Sequence, residues 1–113
     1  MNDGTPIPFP RADHDVVHFD RREMNLILRL YGQMVAAGEW RDYAITALRD
    51  LAVFSVFRRT AEFPLYRIEK RPRLRQRQGL YAVVAQDGRT LRRGQELEQV
   101  LKVLERRLIG PVD

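Results

Sequence analysis

Apolar positions along this chain recur in two periods, and the change of period marks the elements. Met24, Ile27, Leu28, Tyr31, Met34 and Val35 are spaced by threes and fours, which predicts one face of an amphipathic helix. Leu26 and Leu30 widen that face. Asp20 stands just before it with Glu23 three residues on, the arrangement of a capping box. Gly38, after Ala36 and Ala37, is placed to end the helix in a left-handed turn.

Beyond Gly38 the period shortens to two. Leu51 to Arg59 is rich in Val and Phe, with Val53 and Phe57 on one side and Phe54 and Val56 on the other, as in a strand covered on both faces. In Leu65 to Arg71, Tyr66 and Ile68 share one face while Arg67, Glu69 and Arg71 share the other, which predicts a half-buried antiparallel strand. Leu80 to Ala85 is a third strand, and the Asp87-Gly88 pair after it is a hairpin turn. Thr90 to Arg92 pairs briefly at most.

Tyr43 to Leu48 fits a strand or a short helix; the strand is preferred because Arg49-Asp50 resembles a turn into the next one. Val16 to Phe19 reads as a brief edge strand. Gly94 opens a last helix, whose stripe is Leu97, Val100, Leu101, Leu104 and Leu108, and Gly110-Pro111 stops it. Pro6, Pro8 and Pro10 make residues 1–15 a flexible arm, leaving 16–110 as one domain. The expected fold class is α+β: an N-terminal helix, a three- to four-stranded antiparallel sheet and a C-terminal helix. Both helices pack on one face of the sheet and leave the other partly open.

A chain of 113 residues has room for one modest core. No run approaches the roughly 18 apolar residues of a membrane span, and the N-terminus lacks the pattern of a secretory signal. The expected location is cytoplasmic. Cysteine is absent, which removes disulfides, thiolate catalysis and cysteine-ligated metals together.

Charge changes the picture more. Between Arg58 and Arg77 eight basic residues face only Glu62 and Glu69, a local +6 against +5 for the whole chain. The basic character is therefore local. Of the 20 basic residues 18 are Arg, whose planar fork suits phosphate and carboxylate. Genome composition can produce that ratio, but not the clustering. Arg58, Arg59, Arg67, Lys70, Arg71, Arg73, Arg75 and Arg77 are the candidates for an anionic partner, with Arg89, Arg92 and Arg93 as a second group near the other turn. RNA or DNA is the first partner this suggests, held by its backbone with little sequence readout. An acidic protein is the alternative, with Trp40 as an anchor if exposed. Tyr66 and Tyr81 read as packing under the helices; only turned outward would they stack on bases.

Enzyme chemistry finds little support. Ser55, the only serine, alternates within a buried strand and reads as a packed hydroxyl. His14 and His18 lie four apart, yet the proline-rich context provides no helix to organise them around a metal. No phosphate loop or dinucleotide fingerprint occurs, and nothing calls for a cofactor. The reading is of a non-enzymatic protein.

The blocks LYGQMVAAGEWRDYAI (30–45), AVFSVFRR (52–59) and PLYRIEKRP (64–72), with GLYAVVAQDG leading into LRRGQELEQVLKVLERRL, resemble a family of short single-domain alphaproteobacterial proteins filed as a domain of unknown function. The resemblance covers about residues 17–108. It implies one intact domain in a bacterial, cytoplasmic protein, and it carries over no catalytic or ligand-binding residue.

Overall fold

The computed structural model of the chain describes residues 16–59 and 63–109. The proline-rich segment, the turn at Thr60–Glu62 and the Gly110-Pro111 stop lie outside them, as does the side chain of Leu108. Residues 16–19 do not form the expected edge strand. The Val17 N–H donates to the Leu48 carbonyl at 2.8 Å, the His18 carbonyl accepts from Lys70 Nζ at 2.8 Å, and Phe19 packs against the core. A crossing with one backbone bond is a tether, not a ladder.

Helix α1 spans Arg21–Ala36. Its capping box is complete, the Glu23 N–H donating to Asp20 Oδ1 at 2.8 Å and the Asp20 N–H to Glu23 Oε1 at 2.7 Å. At the other end the N–H groups of Gly38 and Glu39 reach the carbonyls of Val35 and Met34, at 2.9 and 2.8 Å. That double closure is the Schellman motif, and it needs the φ of +78° that Gly38 adopts.

Five strands follow: β1 (Asp42–Ala47), β2 (Ala52–Phe57), β3 (Tyr66–Lys70), β4 (Tyr81–Ala85) and β5 (Thr90–Gly94). They pair antiparallel in sequence order, as a meander. Of residues 43–48, expected as strand or helix, 43–47 lie in β1, and one strand more is present than expected. The extra one is β5, which runs on to Gly94 opposite Tyr81. A bulge at Val83/Val84 leaves Leu91 unpaired in the ladder and packed against the core. Gly94 consequently closes a strand instead of opening the helix, and α2 starts at Leu97, running to Ile109.

A one-turn 3₁₀ helix, Pro72–Leu74, begins the loop between β3 and β4. The loop closes at Gly79, where φ is +122° and a Cβ would lie 2.8 Å from the Gly94 backbone. Only glycine fits that crossing.

Both helices pack on one face of the sheet. Helix α2 lies over β4 and β5 and beside α1. Helix α1 reaches the sheet through Tyr31, whose ring meets Phe54, and Glu23, which meets Lys70 and Tyr81. Ile27, Leu30 and Met34 from α1, Phe54, Ile68 and Val83 from the sheet, and Leu97, Val100 and Leu104 from α2 fill the space between. Each such side chain contributes roughly 1.5–3 kcal/mol by leaving water. Two helices about 8–10 Å apart cover about four strands spaced at about 4.8 Å. The fifth, β1, overhangs, and it is exposed along nearly its whole length.

Candidate functional site

The face of the sheet away from the helices carries the charge. Strand alternation places Arg67 and Glu69 of β3 there, with Arg71 next in the same phase. Beside them in register stand Val53 and Ser55 of β2, Ala82 and Val84 of β4, and Arg93 of β5. Val53, Ala82 and Val84 are buried although, among the described residues, no helix lies above them. The aliphatic stems of Arg67 and Arg93 stand in register beside Val84 and Ala82 and can cover them.

Glu69 is buried at the centre of this face. Arg67 approaches its Oε2 at 3.4 Å through both Nε and Nη2, and Arg71 Nε lies 3.1 Å from Oε1. One carboxylate thus holds two guanidinium groups that are each more than a third exposed, and the trio keeps one net positive charge. Arg93 Nη1 reaches the Gly79 carbonyl at 3.4 Å, which sets it along the same side toward the loop.

The loop after β3 extends this surface. Arg73, Arg75 and Arg77 are exposed, and Pro72, Arg73, Arg75, Gln76 and Arg77 line a concavity of about 440 Å³. Backbone bonds shape it: the Leu74 carbonyl accepts from the N–H groups of Arg77, Gln78 and Gly79 at 3.1, 3.1 and 2.8 Å. Gln95 Nε2 donates to the Arg75 carbonyl and ties the loop to the start of α2. Only a loose, exposed contact of 3.7 Å, Arg73 to Asp50, engages a loop guanidinium among the described residues. Guanidinium forks carried on a hydrogen-bonded loop backbone, with donors left open, can take anionic oxygens pairwise.

The eleven expected site residues do not all meet. Arg67, Arg71, Arg73, Arg75, Arg77 and Arg93 gather on the outer face and its loop end. Arg58, Arg59 and Arg89 lie at the opposite end of the strands, roughly 17 Å away for a five-residue strand. There Arg58 and Arg59, with Phe63, Leu65 and Gln86, line a smaller hollow of about 140 Å³. Arg92 stands opposite Val83, on the helix face. Lys70 also faces the helices. Its Nζ donates to Glu23 Oε1 and the His18 carbonyl, both at 2.8 Å, and its side chain is 14% exposed. Lys70 is an internal cation, not a surface one.

Tyr81 is buried and donates its hydroxyl to Glu23 Oε2, so it cannot stack on a base. Tyr66 is half-buried and packs against the core. Trp40 is buried too, which removes it as an exposed anchor; its indole N–H has no partner among the described residues. Ser55 is half-buried on the outer face opposite Arg67. His18 is exposed, and His14 lies outside the described residues.

Two carboxylates matter more than sequence reading foresaw. For Glu69 the signal was present, since Arg67, Glu69 and Arg71 alternate onto one face. For Glu23 only the cap was visible, because its other partners, Lys70 and Tyr81, are 47 and 58 residues away. Burial, and then the hydrogen bond to Glu23, push the Tyr81 phenol well above the ordinary tyrosine value.

A family model described as Protein of unknown function (DUF2794) matches residues 17–101. Comparison with curated proteins finds no match, and comparison with solved structures finds none. Among the described residues, no helix is long and apolar enough to cross a membrane.

Proposed function

The chain belongs to the family described as Protein of unknown function (DUF2794), and we propose that it is a non-enzymatic, cytoplasmic binder of a nucleic-acid backbone. The observation that carries this reading is the helix-free sheet face, with Arg67, Arg71 and Arg93 leading into the exposed Arg73, Arg75 and Arg77 of the loop. Phosphate contacts by such guanidinium groups release counterions and provide affinity without reading sequence. The inward or half-buried placement of Tyr81 and Tyr66 supports the same emphasis, since neither offers an exposed stacking platform.

The test is fluorescence anisotropy of single-stranded RNA, duplex RNA and duplex DNA against nuclease-treated protein, across salt. Binding is expected to weaken steeply with salt and to differ among the probes. The triple variant Arg73→Ala, Arg75→Ala, Arg77→Ala should bind more weakly. On duplex DNA its salt slope should be shallower by about 0.9 for each phosphate that the variant leaves unneutralised. A second triple variant, Arg21→Ala, Arg22→Ala, Arg29→Ala, removes the same charge from exposed positions of α1 and should bind nearly as the parent does. Equal losses in the two variants would reduce the effect to net charge. No binding at low salt would overturn the reading and turn the search to an acidic protein partner.

A further inference from the structure

Five of the large apolar side chains exposed to solvent gather along one border of the molecule. On β1 and its end are Tyr43, Ile45 and Leu48, at 41, 50 and 46% exposure. On the adjoining side of α1 are Leu28 and Val35, three residues before and four after Tyr31, hence on one helical stripe. Tyr31 joins the two groups, its ring centroid 4.9 Å from that of Tyr43. This is the border that two helices are too few to cover.

Among the described residues, the backbone of β1 is open on the same side. Leu48 donates to the Leu51 carbonyl at 2.8 Å, and in the β1–β2 register this phase turns residues 42, 44 and 46 toward β2. Residues 43, 45 and 47 therefore present their N–H and carbonyl groups outward. Among the described residues, only the Tyr43 N–H of these is engaged, by the neighbouring Asp42 Oδ1 at 2.8 Å. The opposite edge is built differently. Strand β5 carries Arg92 and Arg93 and a bulge, which are devices that discourage edge pairing. Strand β1 has no basic residue, no proline and no register irregularity.

We propose that β1 is the interface between two copies of this chain, which pair antiparallel about Ala44 and join their sheets into one. Opposed residues in an antiparallel pair share a face, so a two-fold axis must fall on a residue, and Ala44 and Ile45 are the central choices. Centred on Ala44, Tyr43 of each copy stands opposite Ile45 of the other, and their outward N–H and carbonyl groups meet. Asp42 stands opposite Thr46 of the second copy, whose hydroxyl can donate to the carboxylate as the Tyr43 N–H leaves it. Continued outward, the register brings Glu39 toward Arg49 of the second copy. Centred on Ile45, it would oppose Arg41 to Arg49. Charge selects Ala44. The two α1 helices then flank the joined strands from one side, and Leu28, Tyr31 and Val35 of each turn toward the seam.

The absence of cysteine permits a clean test. Across a non-hydrogen-bonded antiparallel pair the two Ala44 Cα atoms would lie about 4.5 Å apart, within disulfide reach. Ala44→Cys, an exposed position, is expected to form a covalent dimer under mild oxidation. Sedimentation equilibrium of the parent protein should show a dimer at micromolar concentration. Ile45→Glu should raise its dissociation constant by at least about 30-fold, since the new carboxylates would be buried opposite Tyr43. Circular dichroism confirms that this variant is folded; should it fail to fold, the cysteine variant decides alone. A monomer at every concentration, a dimer that Ile45→Glu leaves intact, or an Ala44→Cys protein that stays uncross-linked would each overturn the proposal.

Discussion

Glu23 accepts the Asp20 N–H and Lys70 Nζ on one oxygen and the Tyr81 hydroxyl on the other, with its side chain 4% exposed. Removing it strands a nearly buried ammonium and a buried phenol. Glu23→Ala is expected to cost about 3 kcal/mol in urea unfolding, and Glu23→Gln less, because the amide keeps the shape and some of the bonds. Tyr81 gives this cluster a pH signature. Burial, the Glu23 hydrogen bond and the nearby carboxylate charges hold its proton more tightly in the folded chain than in the unfolded one. The folded state then binds more protons above the ordinary value of about 10, so stability is unaffected through neutrality and falls as pH rises beyond it. Thermal melts between pH 8 and 11 should show that fall, and Tyr81→Phe should flatten it. Some decline would persist through Tyr31, which burial and Asp42 also raise. Gly79 offers a steric test. Gly79→Ala combines the disallowed φ with a collision against Gly94 backbone, and a loss of about 3 kcal/mol is expected.

At the scale of elements, β3 uses its two faces for different work. Ile68 and Lys70 serve the core side, while Arg67 and Glu69, continued by Arg71, serve the outer side. Replacing both Arg67 and Arg71 with Ala leaves buried Glu69 without a countercharge. Because both guanidinium groups are partly exposed and screened, the expected cost is about 1–2 kcal/mol, and adding Glu69→Gln should recover most of it. If the extra substitution recovers nothing, Glu69 is not what the arginines serve. Most of this layout was legible in the sequence. Helix α1 was readable to its caps, since Asp20, Glu23 and Gly38 act locally, and the strand alternation gave the helix-free face. Strand β5 exceeds the brief pairing that its sequence suggests, because two Arg and a Gly follow Thr90 and Leu91 and make a weak strand signal; pairing with β4 imposes the form. Alternation sets Lys70 in phase with Tyr66 and Ile68 on the helix side, so only its partner Glu23, 47 residues away, is hidden from a reading by charge along the chain. The overhang of β1 depends on how many strands two helices span, a quantity that no residue expresses by itself.

The whole molecule separates its tasks by layer. The helix side holds the apolar core and the Glu23 cluster; the outer side and its loop hold the open guanidinium groups; the β1 border holds uncovered apolar surface. The loop triple variant should therefore change nucleic-acid affinity while leaving the melting temperature and oligomeric state of the parent. Ile45→Glu should alter assembly while each chain retains its loop arginines in place. Measuring both variants by anisotropy, melting and sedimentation checks this independence directly. The placement of Lys70 has one more consequence, for how the chain finds its pairing. A slip of β3 by a single residue would turn Glu69 and Arg71 under the helices, facing an apolar core, and leave Glu23 and Tyr81 without the ammonium. Hydrophobic pattern alone would resist that error only through Tyr66 and Ile68. The charges forbid it from both sides at once, so the ionic groups of β3 act as a proofreading code for sheet assembly.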